Sequence, residues 1–215
     1  MKSLYFNKKE IEKLETIGKG CEGKVVKLNE DTAIKLYNAS KFNLHDFKFT
    51  NLNFRYIVLP KSKVYINTKF AGYTMNYING KNLNNINLSK VSYKDLILYC
   101  NLIKEEIKIL SDMLIPFKDL SLNNIIYNNG FYIVDSFYNK NLNLTKEECF
   151  KYNNKEFNKL IFYKLLKDNI DLYNYILNNE YLKKLYMYST PFDNLPLFLN
   201  EIEKTMKKYE MHPLE

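Results

Sequence analysis

The chain has 215 residues, 15% of them aromatic, no tryptophan, and a formal net charge of +8 at pH 7. That length holds one domain or two small lobes with a real core. Cys21, Cys100 and Cys149 lack paired spacing, which argues against a disulfide framework or a zinc site and suits a reducing cytosol. No apolar run approaches membrane-spanning length, and the opening MKSLYFNKKEIEKL lacks the apolar centre of a signal peptide. A soluble cytoplasmic protein without a membrane partner is the expectation. The positive charge is nearly all lysine, with Arg55 the only arginine. Bidentate recognition of phosphate or guanine favours Arg, so the charge argues for a solvated lysine surface over a nucleic-acid partner.

The first informative stretch is IGKGCEGKVVKL, residues 17–28. It holds Gly18, Gly20 and Gly23 as GxGxxG, and also GxxxxGK with Val25 where a P-loop needs Ser or Thr. A dinucleotide fingerprint or a P-loop requires a helix next. Here Val25–Leu28 and Thr32–Tyr37 read instead as two strands about the polar turn NED. Glycines on a hairpin leave a third use, a flap whose backbone can approach phosphates because no Cβ intervenes.

Residues 38–54 read as a short helix offering Phe42, Phe47 and Phe49 to the core. YIVLP, KVYIN and FAGYTMNYI, ending at Ile78, are strand-like runs, and the polar INGKNLNNINLS reads as a hinge. From Ser92, read as the N-cap, to Leu114 the pattern is helical. Leu96, Tyr99, Cys100, Ile103, Ile107 and Leu110 form one stripe, and Pro116 stops the helix. NIIYN and FYIVDSF flank the turn NNG as a second hairpin, with Asp119 before it and Asp135 at its end. Beyond Thr145 the chain reads as amphipathic helices.

Taken in order, these motifs resemble the protein-kinase-like superfamily over residues 17–137. Gly18-x-Gly20-x-x-Gly23-x-Val25 resembles the glycine-rich loop, and Ala33-Ile34-Lys35 the strand lysine motif. KDLSLNN, Lys118 to Asn124, resembles the catalytic loop, and IVDSF the strand that carries the metal-binding Asp. The resemblance implies an α+β, two-lobed kinase-like fold: a β-rich N-lobe over residues 1–78 and a reduced, mostly helical C-lobe over 79–215. It implies ATP and Mg²⁺ as cofactors. Lys35 would pair with the α- and β-phosphates, and Asp135 and Asn124 would hold Mg²⁺. Asp119 would orient the acceptor hydroxyl and take its proton. Met75 falls at the gatekeeper place, and the backbone of Asn76 and Ile78 would meet the adenine. The lone histidines His45 and His212 have no ligand-spaced partner.

The chain departs from the family in several places. Phe117 and Lys118 stand for the usual His and Arg, Ser121 for a Lys, and Ser136 and Phe137 for Phe-Gly. No Glu lies between Glu30 and Glu105, so Asp46 is the candidate partner of Lys35, with Asp135 or the nucleotide as the alternative. No A-P-E follows Phe137, which leaves no room for a long activation segment. The first expectation is an ATP:Mg²⁺ phosphotransferase acting on a protein or small-molecule hydroxyl. The alternatives are a pseudokinase serving as a nucleotide-binding or protein-interaction module, and a phosphotransferase resembling aminoglycoside and choline kinases.

Overall fold

The computed structural model describes residues 3–38, 54–136 and 143–211, with side chains to residue 207. The expected helix at residues 38–54, with Phe42, Phe47, Phe49 and Asp46, lies outside the described residues but for its two ends, as do His45, His212 and Phe137. The fold is α+β, with two mixed sheets in the N-terminal half and a mostly helical C-terminal half.

The first sheet has six strands in the order β1-β6-β7-β4-β3-β2. They are β1 Ser3–Phe6, β2 Thr16–Lys19, β3 Gly23–Lys27, β4 Thr32–Tyr37, β6 Ser62–Ile66 and β7 Lys69–Asn76. The two expected strands of the first hairpin are β3 and β4. Strand alternation sorts their side chains onto two faces. Val26, Ile34, Leu36 and Val64 pack on the far face against Ile11 of the short helix α1, Lys8–Glu12. Ala33, Tyr73 and Met75 pack on the near face, with Val25 and Tyr37 against them. Residues 57–58 (β5) do not join this sheet. They pair in parallel with β10, Phe131–Val134, in a second sheet of order β5-β10-β9-β8. β8 is Lys81–Asn82, inside the stretch read as a hinge, and β9 is Ile125–Tyr127. Val58 and Val134 close the near-face cluster, so the two sheets share an apolar contact.

Helix α2, Tyr93–Asp112, buries the expected stripe: Leu96, Cys100, Ile103, Ile107 and Leu110. Ser92 is its N-cap, accepting from the Asp95 amide. The helix ends four residues before Pro116, with Met113 capping and Leu114 at φ 57°, so the stop precedes the proline. Helices α3 Lys146–Asp168, α4 Ile170–Asn178, α5 Glu180–Met187, α6 Thr190–Asp193 and α7 Leu195–Met211 complete the chain. Asparagine, abundant here, does capping work: Asn169 caps α4 and Asn179 caps α5, each accepting a backbone amide that would otherwise be unpaired. Phe131, Phe157, Phe162 and Phe198 are fully buried in the large core between α2, α3, α7 and the second sheet. Burial of each such side chain contributes about 1.5–3 kcal/mol. Among the described residues, no helix is long and apolar enough to cross a membrane.

Candidate functional site

The two sheets and the loop after α2 enclose a cleft of about 820 Å³. Every residue assigned from the sequence to nucleotide, metal or catalysis lines it, Asp46 alone of the site candidates lying outside the described residues. Gly18, Gly20, Gly23 and Val25 come from the β2–β3 hairpin, and Ala33 and Lys35 from β4. Met75, Asn76 and Ile78 come from the end of β7 and the residues after it. Asp119 and Asn124 lie between α2 and β9, and Asp135 follows β10 directly. The segments are far apart in sequence, and pairing brings them together: Val25 opposes Lys35 on one side of β4, and Tyr73 opposes it on the other.

The hairpin's glycines differ in what they face. A Cβ on Gly23 would sit 1.9 Å from the Leu36 carbonyl oxygen, so only glycine allows β3 to approach β4 there. A Cβ on Gly20 would meet nothing within 4 Å. The turn is closed by the Gly20 amide, which donates to the Gly23 carbonyl at 2.9 Å.

Lys35 is buried, with its side chain 8% exposed, and its ammonium donates to Asp135 Oδ2. The other oxygen of that carboxylate, Oδ1, accepts the Tyr73 hydroxyl at 3.0 Å. The Lys35 ammonium also lies 5.6 Å from the centre of the Tyr37 ring, which sits 6.0 Å from the Tyr73 ring. Lys35, Asp135, Tyr73 and Tyr37 thus form a closed cluster. Burial pushes the Tyr73 hydroxyl well above its ordinary pKa, with the Asp135 charge and Tyr37 adding to it. Asp135, the alternative partner expected for Lys35, is the one observed, while the candidate Asp46 lies outside the described residues.

Asp119 and Asp135 share an unusual backbone: both have φ 55°, the left-handed region that non-glycine residues seldom adopt. Such conformations persist only where surrounding contacts over-determine them. Those contacts are visible. The Lys118 amide donates to the Ser136 carbonyl at 2.8 Å. The Phe117 amide donates to Asn153 Oδ1 at 2.6 Å, and Asn153 Nδ2 donates to the Ile115 carbonyl at 2.9 Å. Asn124 Nδ2 donates to the Asp119 carbonyl at 3.1 Å, which leaves its amide oxygen as an acceptor. The Asp119 side chain is 73% exposed, with Lys118 Nζ at 4.0 Å. Tyr152 of α3 lies within reach of its charge; the Tyr152 hydroxyl is raised by burial first, then by Glu156 and Asp119.

Sequence reading missed three supports of this site. Tyr73 was legible only as a strand residue. Asn153 sits fully buried in α3 and looks in sequence like a polar-face residue. Glu106 of α2 accepts the amides of Arg55, Tyr56 and Ile57 at 2.7, 2.9 and 2.7 Å, fixing the start of β5. The β4–β7 register could have pointed to Tyr73; nothing in the sequence points to the other two.

No protein-family model matches this chain, and no curated protein matches it.

Among the described residues, no cluster of three or more His, Cys, Asp or Glu could hold a metal alone. Mg²⁺ does not need one, since it keeps waters and takes one or two protein oxygens plus phosphates. Asp135 and Asn124, both lining the cleft, fit that requirement.

Proposed function

We propose that the protein is an ATP:Mg²⁺-dependent phosphotransferase with a minimal, two-lobed kinase-like fold, divided near residue 78. The observation that carries this reading is the convergence of five separated motif segments on one cleft, each with the residue type phosphoryl transfer asks for. The apolar walls, Val25, Ala33, Met75 and Val134, suit a flat heterocycle. The β2–β3 hairpin, bare at Gly20, suits phosphates. Lys35 supplies a point charge for them. Asp135 and Asn124 hold Mg²⁺, which supplies charge neutralisation. Asp119, exposed at the mouth, accepts the proton of an acceptor hydroxyl. The acceptor is a protein or small-molecule hydroxyl.

A second reading, a pseudokinase that binds nucleotide or a partner protein without transfer, is favoured by one observation. Both oxygens of Asp135 are engaged, by Lys35 and by Tyr73.

Thermal melting with ATP, with and without Mg²⁺, tests both. Ligand at about a hundred times its Kd stabilises by about 2.7 kcal/mol, worth roughly 5–10 °C at this size. A Mg²⁺-dependent rise that is lost in Asp135→Asn supports the enzyme. A rise indifferent to Mg²⁺ favours the second reading. No rise at millimolar ATP overturns both nucleotide readings and leaves the protein-interaction form of the second.

A further inference from the structure

The Asp135 carboxylate has two unlike partners. Oδ2 faces the ammonium at the end of a long lysine side chain. Oδ1 faces a hydroxyl on a rigid ring, and Tyr73 is 2% exposed at the centre of a sheet, directly opposite Lys35 in the strand register. A lysine holds its ammonium through four rotatable bonds and exchanges partners readily. A buried tyrosine ring in a packed strand does not.

We propose that Tyr73 is a positioning residue for Asp135. Its hydroxyl anchors Oδ1 and so fixes the carboxylate plane, leaving Oδ2 as the single oxygen exchanged between Lys35 and an incoming cation. This rests on the reading of Asp135 as a metal ligand. Asp135 itself is held in the left-handed region, and the next residue offers its carboxylate no partner. Ser136 turns its hydroxyl back to the Val134 carbonyl at 3.1 Å, so it contributes nothing to the carboxylate. Tyr37 completes the device by packing against Tyr73 and facing the Lys35 ammonium. The cluster therefore holds Lys35 and Asp135 in register through aromatic residues of the same sheet.

The experiment is a Mg²⁺ titration of the protein with a non-hydrolysable ATP analogue, followed by melting temperature, for wild type, Tyr73→Phe and Asp135→Asn. Tyr73→Phe removes only the hydroxyl and keeps the ring. The expected result is a Mg²⁺ midpoint raised about tenfold, the low end of the loss for a residue that orients a metal ligand. The shift given by the analogue without Mg²⁺ stays as in wild type, and the substitution adds nothing in an Asp135→Asn background. Should Tyr73→Phe not fold, Tyr73→Met is the second variant, since methionine adapts to irregular core space. An unchanged midpoint in a folded variant overturns the proposal and leaves the proposed function standing. A wild type that gives no Mg²⁺-dependent shift overturns both together.

Discussion

The Lys118 amide donates to the Ser136 carbonyl at 2.8 Å, and this one bond ties together the backbones that carry Asp119 and Asp135. Each acid adjoins one end of it, and both are in the left-handed region. Substitutions at these positions should respect that backbone. Asn tolerates it far better than Ala. Asp119→Asn is therefore the cleaner test of chemistry. The side chain is largely exposed, so stability should change by no more than about 0.5 kcal/mol. Phosphate transfer to whichever acceptor is found should fall by about 10²–10⁴-fold. Unchanged transfer in a variant of wild-type stability would remove Asp119 as the base.

Asn153 supports the same loop from below. It is fully buried, accepts the Phe117 amide and donates to the Ile115 carbonyl and to Ser111 Oγ at 3.0 Å. Asn153→Leu would leave those buried groups unpaired, at about 1–3 kcal/mol for each group stranded. A fall in melting temperature of at least about 6 °C is expected, at about 2–4 °C per kcal/mol for this size. Equilibrium unfolding in urea checks it; a loss under 0.5 kcal/mol would mean that water replaces the asparagine.

The buried pair gives a third prediction. Lys35 is 8% exposed and Asp135 22%. Breaking a buried pair from one side costs about 3–5 kcal/mol, and because an Asn oxygen can still accept from the Lys35 ammonium, Asp135→Asn falls near the lower end, about 3 kcal/mol. Lys35→Met should cost less, because Asp135 keeps both its solvent contact and the Tyr73 hydroxyl. The double variant should be more stable than the sum implies, by about 1–3 kcal/mol. Strict additivity in a urea-unfolding cycle would mean that the pair is not formed in solution.

How far the sequence could be read follows from where information is local. The β3–β4 hairpin, helix α2 with Ser92 as its cap, and the β9–β10 hairpin all carry their signal within a few residues: alternation, a 3.6-residue stripe, a turn tripeptide. Lys35, Asp119 and Asp135 line one cleft, as the order of the motifs implies, and the roles proposed for them rest on that convergence. What could not be read depends on pairing at a distance. Residues 57–58 are apolar and β-branched in either sheet, and the contacts that hold them against β10, the Glu106 carboxylate and the Ile133 amide on the Tyr56 carbonyl, come from distant segments. Asn153 was hidden for the same reason. α3 buries Asn153, Asn154, Asn158 and Lys164, so its polar and apolar faces blur. Lys164 there pairs with Asp168, whose carboxylate also takes the Leu88 amide at 2.7 Å and so pins the turn after β8.

Two glycines of the hairpin separate fold from ligand. Gly23→Ala forces a methyl against the Leu36 carbonyl and should destabilise by about 1–3 kcal/mol, read in a thermal or urea melt. Gly20→Ala meets nothing and should leave the melt unchanged without ligand. If the hairpin covers phosphates, Gly20→Ala should weaken ATP about fivefold or more, close to 1 kcal/mol. Equal ATP affinity in that variant would mark the hairpin as a plain turn. The exposed Cys21 beside it offers a second readout: bound ATP should slow its reaction with a thiol reagent, while buried Cys100, its thiol pushed far up by desolvation, stays protonated and inert.

Alkaline stability tests the environment of Tyr73 directly. Burial raises its folded-state pKa well above the ordinary value near 10, so the folded protein holds the proton that the unfolded chain releases. The sign follows. Its contribution to stability is fully present below about pH 10 and is lost as pH rises from there toward the folded value, at up to about 1.4 kcal/mol per pH unit. Contributions from the other ionisable groups cancel in the difference between wild type and Tyr73→Phe. That difference in unfolding free energy should be flat from pH 6 to 9. Above pH 10 it should move against the wild type. A flat difference through pH 11 would mean that Tyr73 reaches water in solution, and its hydroxyl would then be no fixed anchor for Asp135.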